Sequence, residues 1–386
     1  MLITDFLKKI AVNLEKRNNP MFTFPVEKQK EYLKQFPEPK DNIEGSYYQY
    51  RCQKLMSGKV VNVVVSIGSA FIYKLLEKKY LNNEIEFKEN IQAIFFADGK
   101  PDNIIPRSLK ESLGEYKVIN DQEYVLIDED VTFLKKVKKR YPFAFEFQLK
   151  MLIKIARYRA MVNMYKPKEI VVCAEYSFTS SALTEWCCNN SIKHYNVMHG
   201  EKVFYIRDSF FKFDKCYVWN QHYRELLKNL RADEEQFIIE EPESLHFYKK
   251  KKIKKEMDIT YYLAAESQRE LKIIAEFLKK IKMEKGKKVA VRPHPRYSDM
   301  KYVEEYFGEL VIEDVKTLPI EESILRTKTV IAVYSTVLNQ AYSNGIQIVI
   351  DNISAPEKYK KLEELQYIFA TKRINTVSEL LEGIIE

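Results

Sequence analysis

From residue 60 to residue 350, short apolar runs alternate with segments of helical periodicity, and this alternation constrains the fold more than any other feature of the chain. Alternating strands and helices read as parallel sheets covered on both faces, because a parallel neighbour is reached only by a crossover long enough to hold a helix. The expected strands of the first half are Val60 to Ser66, Ile91 to Ala97, Tyr124 to Ile127, Glu169 to Ala174, His194 to Met198, Lys215 to Trp219 and Phe237 to Ile239. Between them the spacing predicts helices over 67–81, over 131–165 with a break near Pro142, over 179–189 and over 222–230. The alternation restarts with strands at Ile259 to Ala264, Lys288 to Val291, Leu310 to Ile312, Thr329 to Val333 and Ile346 to Ile350. Helices are expected over 267–283, 302–307, 320–327 and 337–343, and the end from Glu357 is largely helical.

At 386 residues the chain suits two domains of ordinary size. A hydrophilic stretch divides it into an N-terminal domain over 1–245, a basic hinge over 246–256 and a C-terminal domain over 257–386. Ahead of the first strand, Leu2, Ile3, Phe6, Ile10 and Leu14 recur at helical spacing, which predicts an amphipathic helix packed on the body. Residues 18–50 hold prolines and tyrosines without a firm period and read as an irregular lead-in with short helices.

Only ten glycines are present, and neither G-x-G-x-x-G nor G-x-x-x-x-G-K-[ST] occurs, which excludes the common dinucleotide and P-loop fingerprints. The net charge of +8 fits anionic ligands or an anionic surface. Lys249, Lys250, Lys251, Lys252, Lys254 and Lys255 crowd the hinge and read as a solvated linker. An anionic membrane is the sharper candidate partner for Lys249 to Lys255, each lysine near such a leaflet adding about 1 kcal/mol. Because the basic residues form one run rather than a face interleaved with aromatics, no nucleic-acid partner is expected.

Five cysteines, an odd number without C-x-x-C spacing, suggest a reducing compartment. The first residues lack a small-residue cleavage site, and no apolar run reaches the roughly 18 residues of a transmembrane helix. The expected location is cytoplasmic, or peripheral on the inner face of the plasma membrane.

Two strand ends of the second half carry phosphate-compatible groups. Val289-Ala290-Val291 stops at Arg292-Pro293-His294-Pro295, where both prolines fix φ and hold the imidazole on stiff extended backbone. Val330 to Val333 ends at Tyr334-Ser335-Thr336, hydroxyls where the next helix begins, able to cap it or to share its free N–H groups with a phosphate. In the first half, Asp98, Glu175 and His199 stand at strand ends as candidate acid or base groups, histidine being the side chain best suited to take a proton near neutral pH. His194, His222 and His246 show no metal-ligand spacing, so neither a metal nor a cofactor is expected.

With these motifs in order, the chain resembles the bacterial GT-B glycosyltransferases that use CMP-activated sugars, the sialyltransferases, polysialyltransferases and capsule Kdo transferases. His294-Pro295 and Ser335-Thr336 match their two donor motifs, and Asp98-Gly99 matches the last two positions of their D/E-D/E-G base motif, with Ala97 at the first. The resemblance implies two Rossmann-like domains facing each other across a cleft, and inverting, metal-independent transfer from a CMP-sugar to a glycan or glycolipid hydroxyl. Arg292, His294, Pro295, Ser335 and Thr336 would bind the donor. The base stays open among His199, Glu175 and Asp98. Met198-His199-Gly200 also resembles the His-Gly element of the CDP-glycerol glycerophosphotransferases of teichoic acid synthesis, which gives polyol-phosphate transfer as an alternative. A non-catalytic scaffold subunit of a surface-polymer complex is a second alternative.

Overall fold

The computed structural model describes residues 21, 24–56, 59–96, 99–120, 123–247, 253–372 and 374–383, with the side chains of 59–64 excluded. The expected first helix, Asp98 and Lys249 to Lys252 therefore lie outside the described residues. The chain divides into two compact units. Unit 1 runs to His199 and resumes over Phe204–Glu241; unit 2 comprises Gly200–Val203 and Pro242–Glu386.

Unit 1 opens with α1 (Val26–Lys34), α2 (Asn42–Leu55) and α3 (Lys59–Leu81). There follow β1 (Ala93–Phe96), α4 (Arg107–Leu113), β2 (Tyr116–Ile119), α5 (Asp128–Arg140), α6 (Phe145–Tyr165), β3 (Glu169–Val172), α7 (Ser180–Asn189), β4 (Lys193–Val197), β5 (Lys215–Val218), α8 (Gln221–Asn229) and β6 (Phe237–Ile239). The six strands form one sheet in the order β2-β1-β3-β4-β5-β6, and every pairing is parallel. Order reverses between β1 and β3, so the crevice outside their carboxyl ends is where such a sheet takes a ligand.

Three expectations fail in this unit. Val60 to Ser66 is not a strand but the first part of α3. Ser66 and Gly68 follow the valines without interrupting the helix, whose penalty is only a few tenths of a kcal/mol per valine and about 1 kcal/mol for the single glycine. Tyr124 to Ile127 is extended but lies outside the sheet, its Val125 and Leu126 N–H groups donating to the carbonyls of Ala156 and Tyr80. The missed strand is β2, an edge whose Lys117 and Val118 are exposed and whose apolar signal is accordingly weak. The lead-in is more regular than expected, α2 being a 14-residue helix capped by Asp41, which accepts from the Glu44 N–H.

Unit 2 contains β7 (Met257–Tyr262), α9 (Gln268–Lys285), β8 (Val289–Arg292), α10 (Met300–Phe307), β9 (Val311–Ile312), α11 (Ile320–Leu325), β10 (Thr327–Ala332), α12 (Thr336–Ser343), β11 (Gln347–Ile350), α13 (Pro356–Glu364), α14 (Ile368–Thr371) and α15 (Val377–Leu381). Its parallel sheet has the order β11-β10-β7-β8-β9, the 3-2-1-4-5 winding of a Rossmann fold. Here the order reverses between β7 and β10. Helix α9 is bounded by a Ser267/Glu270 capping box and by Gly286 at φ 59°, and its inner face, Leu271, Ile274 and Leu278, packs with Tyr261, Val291 and Ile331 of the sheet.

Candidate functional site

In unit 2 the carboxyl ends of β8 and β10 flank β7, about 10 Å apart at ordinary strand spacing. Beyond β8, the His294 N–H donates to Ser298 Oγ at 2.8 Å, and the ring stacks on Tyr297 with centroids 4.5 Å apart. Pro295 begins the exposed turn 295–297. The Arg296 N–H donates to His294 Nδ1 at 3.1 Å, which leaves Nε2 to carry the proton of the neutral ring. Burial, assisted by Arg296, lowers the His294 pKa below its ordinary value, so the ring is neutral at pH 7 and offers a hydrogen bond rather than a charge.

Beyond β10, Ser335 is the N-cap of α12, its Oγ accepting from the Val337 N–H at 3.3 Å, and Thr336 is the first helical residue. The Leu338 N–H donates to the Ser335 carbonyl at 3.1 Å, so it is the Thr336 N–H that this helix end presents at the switch point of the sheet. Glu266, in the loop after β7, was not singled out from sequence. Its carboxylate accepts from the Ala264 N–H at 2.6 Å, and burial raises its pKa above the ordinary value. Its loop leaves β7, the strand between β8 and β10.

Arg292 is placed differently from expectation. It is 7% exposed, and its Nη1 donates to Glu313 at 3.1 Å while Nη2 donates to the Leu318 carbonyl at 2.8 Å. Glu313 also accepts from Ser323 Oγ and lies 3.5 Å from Arg326 Nε. The guanidinium is thus committed to holding the loop after β9 in place, a charge pair closed upon itself in the interior. The sequence signal, an arginine at a strand end, could not reveal a partner 21 residues further on.

In unit 1 the loop after β3 is pinned on several sides. The Ala174 N–H donates to Asn196 Oδ1 at 2.7 Å, the Ala174 carbonyl accepts from Ser180 Oγ and from the Ser177 N–H, and the Glu175 carbonyl accepts from Gln49 Nε2 at 2.9 Å. Gln49 also donates to the Arg207 carbonyl at 2.8 Å, and Gln53, one turn on, donates to the Tyr176 carbonyl at 2.7 Å. Helix α2 can deliver these amides because it is small where it passes Gly45 and Ser46. A Cβ on Gly45 would stand 3.2 Å from the Phe210 carbonyl, and Ser46 Oγ accepts from the Ala182 N–H.

This scaffold brings two of the three base candidates together. His199, beyond β4, has Nδ1 3.7 Å from Glu175 Oε1, with the carboxylate 1% exposed. Tyr176 lies edge-on to the imidazole at 6.1 Å between centroids, and the Arg207 guanidinium sits over the Tyr176 ring at 5.4 Å. An imidazole backed by a buried carboxylate can take a proton and have the resulting charge stabilised. At the β1/β3 switch point a pocket of about 50 Å³ is lined by Phe96, Tyr158, Cys173, Ser177 and Ser180.

Other polar groups are structural. His194 is buried between Tyr158 OH at 3.0 Å and Thr184 Oγ1 at 2.8 Å, and burial pushes its pKa down to about 3. The carboxylate triplet Asp128-Glu129-Asp130 opens α5, where acidic side chains suit the helix dipole. Asp130 is fully buried, accepting two bonds from Arg159 and one from Trp186 Nε1 at 2.8 Å. Among the described residues no group of three or more His, Cys, Asp or Glu side chains is placed to hold a metal ion. All five cysteines are free thiols.

No family model matches the chain, and no curated protein matches it in sequence. Among solved structures, the chain is similar to the S. aureus MnaA–UDP complex at 12% identity over 78% of this chain and 98% of that one, with a TM-score of 0.44. The UDP-GlcNAc 2-epimerase of Methanocaldococcus jannaschii is similar at 14% identity over 74% and 92%, with a TM-score of 0.41. The wall teichoic acid polymerase TagF is similar at 11% identity over 87% of each chain, with a TM-score of 0.42. None of these likenesses assigns an activity to this chain.

Proposed function

We propose that the chain is a GT-B-type glycosyltransferase that moves a sugar, sialic acid or a related keto sugar acid, from a CMP-sugar to a hydroxyl of a bacterial surface glycan or glycolipid, with inversion. The observation that carries the reading is the state of His294: a neutral ring whose Nδ1 is occupied and whose Nε2–H is free to meet a phosphate oxygen, at the same sheet edge as the α12 N-terminus. As the bond from the anomeric carbon to the phosphate oxygen breaks, His294 Nε2–H and the Ser335-Thr336 end of α12 receive the charge that grows on the departing CMP. The acceptor oxygen forms the new bond to the anomeric carbon, and its proton passes to His199. Glu175 then stabilises the imidazolium.

A second reading, polyol-phosphate transfer from a CDP-alcohol, is favoured by one observation, the pairing of Glu175 with the histidine of Met198-His199-Gly200. Incubation with CMP-sialic acid, CMP-Kdo and CDP-glycerol, followed by an assay of CMP release, separates the two. Release from a CMP-sugar alone supports the first reading, and release from CDP-glycerol alone replaces it with the second. No release from any donor, with no thermal shift on adding CMP, refutes both and leaves the scaffold.

A further inference from the structure

One face of α3 has no place in the chemistry proposed above. Ser69, Tyr73 and Tyr80 are buried and mark the side that packs on unit 1. Ile67, Phe71 and Leu75 follow at four-residue steps and are 69%, 72% and 58% exposed. At about 100° per residue these three fall within roughly 80° of one another, with Phe71 opposite the buried side. Lys74, Lys78 and Lys79 are exposed on the same outward half of the helix, and Leu81, 40% exposed, extends its margin. The acidic residue of this stretch, Glu77, lies off that face, accepting from Tyr73 OH on the inner side.

We infer that this face of α3 docks the protein on an anionic phospholipid surface, with Ile67, Phe71 and Leu75 entering the headgroup boundary and Lys74, Lys78 and Lys79 meeting lipid phosphates. Large apolar side chains in water are ordinarily covered, and the interleaved lysines specify what covers these. A second copy of the chain would bring lysines against lysines, whereas an anionic leaflet complements both components of the face at once. Among the described residues no helix is long and apolar enough to cross a membrane, so this attachment is peripheral. The inference is independent of the donor and acceptor chemistry and stands if the transferase reading fails.

The test is flotation of the full-length protein with vesicles of phosphatidylcholine alone and of phosphatidylcholine with phosphatidylglycerol. The wild-type protein is expected to bind the anionic vesicles and not the neutral ones. Ile67→Ser/Phe71→Ser/Leu75→Ser and Lys74→Gln/Lys78→Gln/Lys79→Gln are each expected to lower vesicle partitioning about tenfold or more while circular dichroism shows the fold intact. Equal binding by wild-type and both variants overturns the inference. So does binding abolished only by neutralising Lys249 to Lys255 or by removing residues 1–20. Loss of self-association in the serine variant, with no vesicle binding by the wild-type protein, overturns it in favour of a second copy.

Discussion

Replacing Glu175 by glutamine removes the charge behind His199 and keeps the shape of the side chain. The carboxylate oxygen is 3.7 Å from Nδ1 of the imidazole. At an effective dielectric of about 20, two unit charges at such a separation attract by roughly 4 kcal/mol. Two corrections apply: the imidazole side chain is 18% exposed, which admits screening, and only about half of the proton's charge has reached the ring in the transition state. About 1.5–2 kcal/mol of transition-state stabilisation remains at stake, or roughly a 20-fold loss in kcat. KM for the donor is expected to stay constant, because His294 and Ser335 are untouched. A carboxylate favours the protonated ring, so its removal lets His199 shed its proton at lower pH, and the acid limb of the kcat profile moves to lower pH. A structural role for Glu175 would leave that limb in place. The assay is CMP release under saturating donor from pH 5 to 9, alongside thermal unfolding. A Glu175→Gln enzyme with kcat within twofold of wild type and an unmoved acid limb refutes the pairing.

Three further outcomes are expected. His294→Ala lowers turnover about 100-fold, the cost of one hydrogen-bond donor to a charge that develops in the transition state, while near-ultraviolet circular dichroism stays native; unchanged CMP release contradicts the donor role. Glu313→Ala strands Arg292 in the interior and costs about 3 kcal/mol of stability, measured as a lower urea midpoint for unit 2, whereas a shift below 1 kcal/mol shows the pair to be dispensable. His194 is neutral when folded, with its pKa near 3, and takes a proton on unfolding below the ordinary value of 6.5, so stability falls by about 1.4 kcal/mol per pH unit as pH drops through that window. His194→Gln removes this slope between pH 6.5 and 5, and a variant as acid-sensitive as wild type shows the loss to arise elsewhere.

The strands of unit 2 other than the two-residue edge β9 were legible because each centres on a buried apolar run, with a sharp stop such as Pro293 after β8 or Ser335 after β10. The same stops expose His294 and Ser335, since a chain that cannot continue a strand must display its next side chains at the sheet edge. Legibility ended where a signal is shared by two structures or spread between distant residues. The valines before Ser66 suit a strand and a packed helix alike, and Ser66, Gly68 and Ser69 after them read as a boundary that α3 runs straight through. The length of helix α2 escaped notice because its buried face mixes Ile43, Tyr50 and Cys52 with Gly45, Ser46 and Gln49, which interrupts any apolar stripe. The bracing of Glu175 by Gln49 and Asn196 depends on partners far away in the chain. The same holds for Arg292, whose position at a strand end is identical whether it faces a ligand or a buried glutamate.

The double grip of Gln49 has a consequence for biosynthesis. Its two acceptors, the carbonyls of Glu175 and Arg207, lie 126 and 158 residues later in the chain. At ordinary elongation rates of about 5–20 residues per second, Gln49 is synthesised roughly 8–30 s before the second acceptor is made. Until Glu175 is made the Gln49 amide has neither acceptor, and the loop bearing Glu175 cannot be finished before Arg207 follows. The loop bearing Glu175 is therefore among the last features of unit 1 to be completed as it is synthesised, and a ribosome-bound chain ending before Arg207 should carry β1 to β4 without that loop in its final bracing.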